Sequence, residues 1–339
     1  MLEHASNHES FPASLKALWH FQIGHLGVDI FFCISGFIIT YLLLEERDRT
    51  GGISLRRFYA RRGLRIVPPY FLYILCIWLL SSTDMIGVAW PNFLAAITFT
   101  SNLSLVPGEW YLGHSWSLSV EEQFYLLWPS ILLLLPSVGV SIRFLVLVLV
   151  ASVPISIAAH THIIPLWLGG FLRYIFPIYA GCLLAHLFKF RPALVNTIYR
   201  HPMSGLATII GMSVAVLLSN FSHYGQFAPV TVPFRPLLTS IGIALLVGCA
   251  IVQRNWLHYI LNTRGFVFFG TISYSLYLWQ QLCLSNVPDW TSSLGGLPSR
   301  IALTIALAAT SYYLLERPLG GLRHRLRDQR SLTGQGRAK

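Results

Sequence analysis

Three groups of residues stand out for chemistry. The first is an acid in an apolar run, Asp29 in His25-Leu26-Gly27-Val28-Asp29-Ile30-Phe31-Phe32. An ionisable side chain within a hydrocarbon layer is expensive, so it needs a partner or a purpose. A helix-start carboxylate favoured by the dipole is the simplest purpose; pairing with a His or Arg is the other. The second group is Glu121 and Glu122 in Trp116-Ser117-Leu118-Ser119-Val120-Glu121-Glu122-Gln123-Phe124-Tyr125. An N-cap with an acidic first turn explains the serines and one glutamate. It leaves two carboxylates and a glutamine among aromatic residues unexplained. Such acids orient a histidine and balance its charge during proton transfer.

The third group is basic. Arg61, Arg62 and Arg65 lie at i, i+1 and i+4, so Arg61 and Arg65 share a helical face. The segment Glu45–Arg65 has seven arginines and no lysine. Arginine forks hold phosphate bidentately, which suits a phosphorylated ligand; the same charges would also satisfy lipid headgroups. Arg173 is the one arginine in mid-segment, and Asp29, Glu121 or Glu122 must neutralise it. Glu316-Arg317-Pro318 reads as a helix-ending local pair. Of the 12 histidines, His4, His8, His20 and His25 crowd the first 25 residues and are natural proton carriers near neutral pH. No HxxxH or HExxH lies on a predicted helix, so no metal site is expected.

The elements that must position these groups are membrane helices. Hydrophobic residues make up 54% of the chain and charged residues 11%, against roughly 25% charged in soluble domains, and mean hydropathy is +0.60. Apolar runs at Leu26–Leu44, Ile66–Ser82, Glu122–Pro136, Ile142–Ala159, Ile164–Leu187, Ser204–Ser219, Pro236–Val252, Arg264–Leu284 and Arg300–Leu315 predict nine spans. The segment Phe93–Val106 is short and polar, and is expected to be re-entrant or interfacial. Most of the 24 Lys and Arg then fall on one side, which the positive-inside rule makes cytoplasmic, together with the C-terminus. Lys16, Arg235 and Arg300 stay outside. The net charge of +11 is thus topological, and no nucleic-acid partner is expected. The five cysteines all fall in spans without a CxxC pair and read as small hydrophobes.

The expected fold class is an all-α polytopic helical bundle in the inner (plasma) membrane. Nine spans leave Met1 outside with no signal peptide, so a preceding first span is expected to be missing.

These residues carry a resemblance. Gly27-Val28-Asp29-Ile30-Phe31-Phe32-Cys33-Ile34-Ser35-Gly36-Phe37 is similar to the GVDxFFxxSGF signature of the membrane-bound acyltransferase-3 family of bacterial O-acyltransferases. Arg62, Arg65, Ile66 and Pro68 resemble its RxxRI-x-P element, and Trp116 to Pro129 its WSLSxEExFYxxWP element. Ser273 to Trp279 resembles SYSLYLW, and Glu316-Arg317-Pro318 the terminal ERP.

The resemblance implies ten spans and an essential histidine before GVDxFF, which aligns best with His4. It also implies a domain over residues 1–318, with most of the first span absent, and a basic cytoplasmic tail over 319–339. Where the family often has His after YLW, this chain has Gln280, which cannot shuttle a proton. The implied reaction moves an acyl group, acetyl first among them, from cytoplasmic acyl-CoA (acetyl-CoA) to a hydroxyl of a cell-envelope or exported carbohydrate. Lipopolysaccharide, exopolysaccharide, peptidoglycan or a small glycoside all fit as acceptor, and no bound cofactor is expected. His4 would be general base or transient acyl carrier, with Asp29, Glu121 or Glu122 as its partner. Arg61, Arg62 and Arg65 would hold donor phosphates. Ser35, Arg173, Tyr274 and Glu316 would line or brace a channel. A transporter or flippase is the rival reading, without inverted repeats to support it.

Overall fold

The computed structural model describes residues 23–103, 109–201, 228–285 and 296–321, with a few positions between 205 and 213. His4, His8, His20 and the tail beyond residue 321 lie outside the described residues. Every regular element within them is helical. In chain order these are α1 (Ile23–Thr50), α2 (Leu55–Ser82), α3 (Trp90–Ile97), α4 (Trp110–Gly113), α5 (Ser115–Leu134), α6 (Val138–His160), α7 (Leu166–Phe190), α8 (Pro192–Arg200), α9 (Ala228–Val252), α10 (Trp256–Leu261), α11 (Arg264–Thr271), α12 (Ser273–Cys283) and α13 (Leu297–Ser311).

Among the described residues, four helices are long and apolar enough to cross a membrane: α1, α2, α6 and α9. A fifth follows if Leu172–Phe190 and Pro192–Arg200, bent by 109° at their junction, form one span. Their outward faces carry large apolar side chains such as Leu42, Leu75, Leu147 and Ile241, as a lipid-facing surface requires.

Two expectations are redrawn, and a third segment keeps its short form. The run Arg264–Leu284 is broken at Ile272 into α11 and α12. The arginines at 56–65 fall inside α2, which begins at Leu55 and carries them toward the bundle. Within the described part of the Phe93–Val106 segment, the eight-residue α3 ends at Ile97 and a 3₁₀ turn follows at Ser101–Leu103; eight residues rise only about 12 Å, well short of the ~30 Å hydrocarbon core.

The centre of the bundle is the α1–α7 pair. A Cβ on Gly36 would overlap the Ile178 carbonyl, and one on Gly181 would overlap the Cys33 carbonyl. These glycines let the two backbones meet, as small residues do where lipid offers no hydrophobic drive to associate. Helices α6 and α9 pack on α7, and α12 packs on α13. Trp128 Nε1 of α5 donates to Thr40 Oγ1 of α1 at 2.8 Å, setting the depth of α5 beside α1.

The far end of α1 is an acidic clasp. Glu46 accepts from Arg61 at 3.0 Å and from the Ser54 N–H at 3.2 Å, with Arg57 at 3.8 Å. Lys189 of α7 meets Glu45 at 2.5 Å and Asp48 at 3.1 Å. Partly exposed pairs of this kind contribute about 0–1 kcal/mol each, so their chief effect is to fix the registers of α2 and α7 against α1.

Candidate active site

A cavity of about 730 Å³ runs between α1, α2, α5 and α12. Its α1 wall extends from His25 through Gly27, Phe31 and Ser35 to Ile38. At 1.5 Å per residue that is roughly 20 Å along the helix, about two-thirds of a hydrocarbon core. The spacing explains why: 27/28, 31, 34/35 and 38 recur at i, i+3/i+4 and i+7, one stripe of a helix. The same rule aligns His114, which immediately precedes α5, with Ser117/Leu118, Glu121 and Tyr125 on it.

At mid-cavity three polar side chains converge. The hydroxyls of Ser35 and Tyr125 both donate to Oε1 of Glu121 and touch each other. All three residues are buried. The Arg62 guanidinium lies 4.8 Å above the Tyr125 ring, within cation–π range, and both Arg62 and Arg65 act electrostatically on Glu121. Arg62, Arg65 and Ile66, at i, i+3 and i+4, form the α2 wall. Tyr274 completes that end, its hydroxyl donating to the Ile66 carbonyl at 2.9 Å.

The sequence-derived residues therefore separate. Arg62 and Arg65 face the cavity, whereas Arg61 is held by Glu46 outside it; the i, i+4 pairing of Arg61 with Arg65 gives way to the Arg62/Arg65/Ile66 face. Glu121 stands in the cavity with Ser35, while Glu122 lies behind it, beside Tyr70 and Tyr274. Asp29 is buried outside the cavity wall, and Arg173 and Arg235 both act on it. Of the three carboxylates considered for Arg173, Asp29 is the one on which it acts. Arg235 moves from an outer loop into α9. Arg173 lies 5.6 Å from the Tyr174 ring, which packs against Trp116 at 4.3 Å.

Two capping expectations fail. Ser117 and Ser119 do not cap α5, because the helix already begins at Ser115; Ser117 meets the Tyr277 hydroxyl at 2.5 Å, and Ser119 donates back to the Ser115 carbonyl at 2.9 Å. An acidic cap does occur on the preceding helix, where Glu109 accepts from the Tyr111 and Leu112 N–H groups of α4 at 2.9 and 2.8 Å. Burial pushes the Glu109 carboxyl above its usual range, against the opposing pull of those N–H groups. Likewise Glu316 is more than a local pair: it accepts from Ser275 of α12 at 2.5 Å, and Ser275 also bonds Ser311 at 3.0 Å. Glu316 thereby braces the helix that carries Tyr274.

Sequence reasoning gave no role to Tyr125, Tyr277 or Gln281. Gln281 fixes the opposite end of the cavity: its Oε1 accepts from the His114 N–H at 2.9 Å and its carbonyl from Trp110 Nε1 at 2.8 Å. No group of three or more His, Cys, Asp or Glu able to hold a metal occurs among the described residues.

A buried carboxylate, two hydroxyls and two guanidiniums along one passage suit an anionic donor and proton traffic to a nucleophile. Comparison with known proteins identifies the class. The family model described as "Acyltransferase domain" (Acyl_transf_3) matches residues 3–316, and the chain belongs to this acyltransferase family. It is 29% identical to "O-acetyltransferase OatA" of Staphylococcus aureus (strain NCTC 8325 / PS 47), over 90% of this chain and 54% of that protein. It is 30% identical to a "Putative O-acetyltransferase" of Staphylococcus aureus (strain COL), over 87% of this chain and 52% of that one. A Bacillus subtilis (strain 168) protein named "Putative peptidoglycan O-acetyltransferase YrhL" is 25% identical, over 87% of this chain and 50% of its own. The chain spans about half the length of the curated relatives it matches. No solved structure matches it significantly.

Proposed function

We propose that the chain is a multi-pass membrane O-acyltransferase that moves an acyl group, acetyl first among candidates, from cytoplasmic acyl-CoA to a hydroxyl of an envelope or exported carbohydrate. The observation that carries this is the single cavity linking Arg62 and Arg65 at one end to His25, Trp116 and Gln280 at the other, past Glu121. A donor on one membrane face and an acceptor on the other can meet only through such a passage. Peptidoglycan, named for one relative, is among the acceptors this reading admits.

In this reading Arg62 and Arg65 hold the donor phosphates. The acceptor hydroxyl loses its proton to His4 and attacks the thioester carbonyl; the C–S bond breaks and the CoA thiolate leaves, taking up a proton. Asp29, in the field of Arg173 and Arg235, lies behind the outer wall formed by Gly27 and Val28. Glu121 tethers Ser35 and Tyr125 at mid-passage and tunes the field at Arg62. The nine-span map, a cytoplasmic C-terminus, a plasma-membrane location and a 1–318 catalytic domain with a 319–339 tail belong to the same proposal.

The test is transfer of label from radiolabelled acetyl-CoA to glycan by membranes holding the full chain. Label is expected with the wild type and lost with His4→Ala. Full transfer by His4→Ala would remove His4 from the chemistry. Uptake of a solute without any acyl transfer would replace the reading with transport.

A further inference from the structure

The cavity is packed shut on one side and open on the other. Its α5 side is closed: His114, Ser117, Leu118, Glu121 and Tyr125 are each no more than 4% exposed. Its α1 side is not. Phe31, Ile34 and Ile38 line the same cavity, yet stand 44%, 38% and 42% exposed. At i, i+3 and i+7 they form one stripe of α1, an apolar rim about 10 Å long. Helix packing gives the reason. Helix α1 packs on α5, α7 and α9, whereas α12 packs on α2, and α2 is tied to α1 at the Glu46 clasp. Arg65 of α2 and Ser273 of α12 line the cavity from the facing edge and are exposed as well. Among the described residues the cavity thus has a side opening between α1 and the α2–α12 pair, at mid-length of a helix long and apolar enough to cross a membrane.

An opening with an apolar rim at that depth suits a hydrocarbon chain, which gains nothing from water and loses nothing to lipid. Its level selects which chain. Ser35, between Ile34 and Ile38, is bonded to Glu121 at mid-passage, and Arg65 lies on the facing edge. The opening therefore adjoins the donor half of the cavity, not the end formed by His25 and Gln280. We infer that it takes the hydrocarbon tail of the acyl group, so that the protein transfers medium-length acyl groups as well as acetyl. A tail directed at α5 would meet packed side chains, where inserted atoms are costly. Directed past Ile34 it reaches the bilayer, where each added methylene is favoured. The inference rests on the acyl-transfer reading and adds to it the class of acyl group. The bond changes are the same: the acceptor oxygen gains the acyl carbon, the C–S bond breaks, and the CoA sulfur ends with the proton the hydroxyl lost.

The experiment uses membranes holding the full chain, acyl-labelled acetyl-, butyryl- and octanoyl-CoA, and label on membrane glycan as the readout. The kcat/KM for octanoyl-CoA is expected to equal or exceed that for acetyl-CoA; a lower value would overturn the inference. Ile34→Trp and Ile38→Trp, which fill the rim, are expected to lower the octanoyl-to-acetyl ratio of kcat/KM about tenfold or more, the scale on which a pocket rejects added methylenes. Leu42→Trp, on an exposed position of α1 outside the cavity, should leave the ratio within about twofold. A ratio unmoved by the rim variants, or moved as far by Leu42→Trp, would also overturn the inference. So would an equal fall for both donors, which would assign the opening to a tail on the acceptor. Should a rim variant fail to fold, the wild-type series decides. If acetyl-CoA alone gives label, the inference fails and the acyl-transfer reading stands. If no donor gives label, that reading itself fails.

Discussion

Ser35 of α1 donates its hydroxyl to the carboxylate of Glu121 of α5, inside a cavity lined on its other side by the arginines of α2. The bond joins two sequence elements 86 residues apart at the midpoint of the passage, and Tyr125 closes the group. Removing one partner from a buried charged hydrogen bond leaves the other unmet, at about 1–3 kcal/mol. Glu121→Ala is expected to cost more thermal stability in detergent than Ser35→Ala, and to abolish transfer. Ser35→Ala should retain the fold and lose part of the activity. Equal stability of Glu121→Ala and wild type would contradict the arrangement.

The arginines should separate by function. Arg62→Ala and Arg65→Ala are expected to raise donor KM about tenfold or more, because each removes a charge-assisted fork from the cavity. Arg62→Lys should not restore it, since an ammonium replaces a planar fork stacked over Tyr125. Arg61→Ala, whose partner is Glu46, should leave donor KM within about twofold. Initial-rate kinetics with varied acetyl-CoA check all four.

Close approach of α1 and α7 admits no extra methyl. Gly36→Ala or Gly181→Ala would place a Cβ against a backbone carbonyl that cannot swing aside. Overpacking on this scale costs about 1–3 kcal/mol or more, so a marked fall in melting temperature or loss of folded yield is expected. Gly63→Ala, where a Cβ would meet nothing within 4 Å, is the control and should be neutral or mildly stabilising.

Glu109 gives a pH signature. Its carboxyl is pushed above the ordinary glutamate range by burial, so the folded state binds the proton more tightly than the unfolded state. Its contribution to stability is therefore fullest below the unfolded value of about 4.3 and is lost as pH rises through the folded value. Glu109→Gln, which cannot titrate, should gain on wild type in melting temperature as pH rises from 4 toward neutral. A difference that shrinks over that range would reverse the assignment.

Much of this site was legible before the fold. The acids at 29, 121 and 122 and the arginines at 62 and 65 are conspicuous because charge inside an apolar run demands an explanation. Partner choice was not legible. Helical phase alone puts Arg61 and Arg65 together; only the position of Glu46, fifteen residues earlier and on another helix, takes Arg61 away. Ser117 and Ser119 look like caps until α5 is seen to begin at Ser115, ahead of both. Arg235 read as an outer loop residue because the apolar run begins after it, yet α9 starts at Ala228 and carries it toward Asp29. Tyr125 and Gln281 were passed over because a hydroxyl or an amide within an aromatic, apolar helix carries no signal until tertiary contacts show what it meets.

The most direct measurement uses sealed vesicles with the cytoplasmic face outward, holding the full chain and its glycan acceptor inside, and radiolabelled acetyl-CoA added outside. Label should accumulate on the enclosed carbohydrate with the wild type and fall to background with Arg62→Ala/Arg65→Ala, while that variant keeps its melting temperature. No label with the wild type, or undiminished label with the double variant, would contradict a passage that takes its donor at the two arginines.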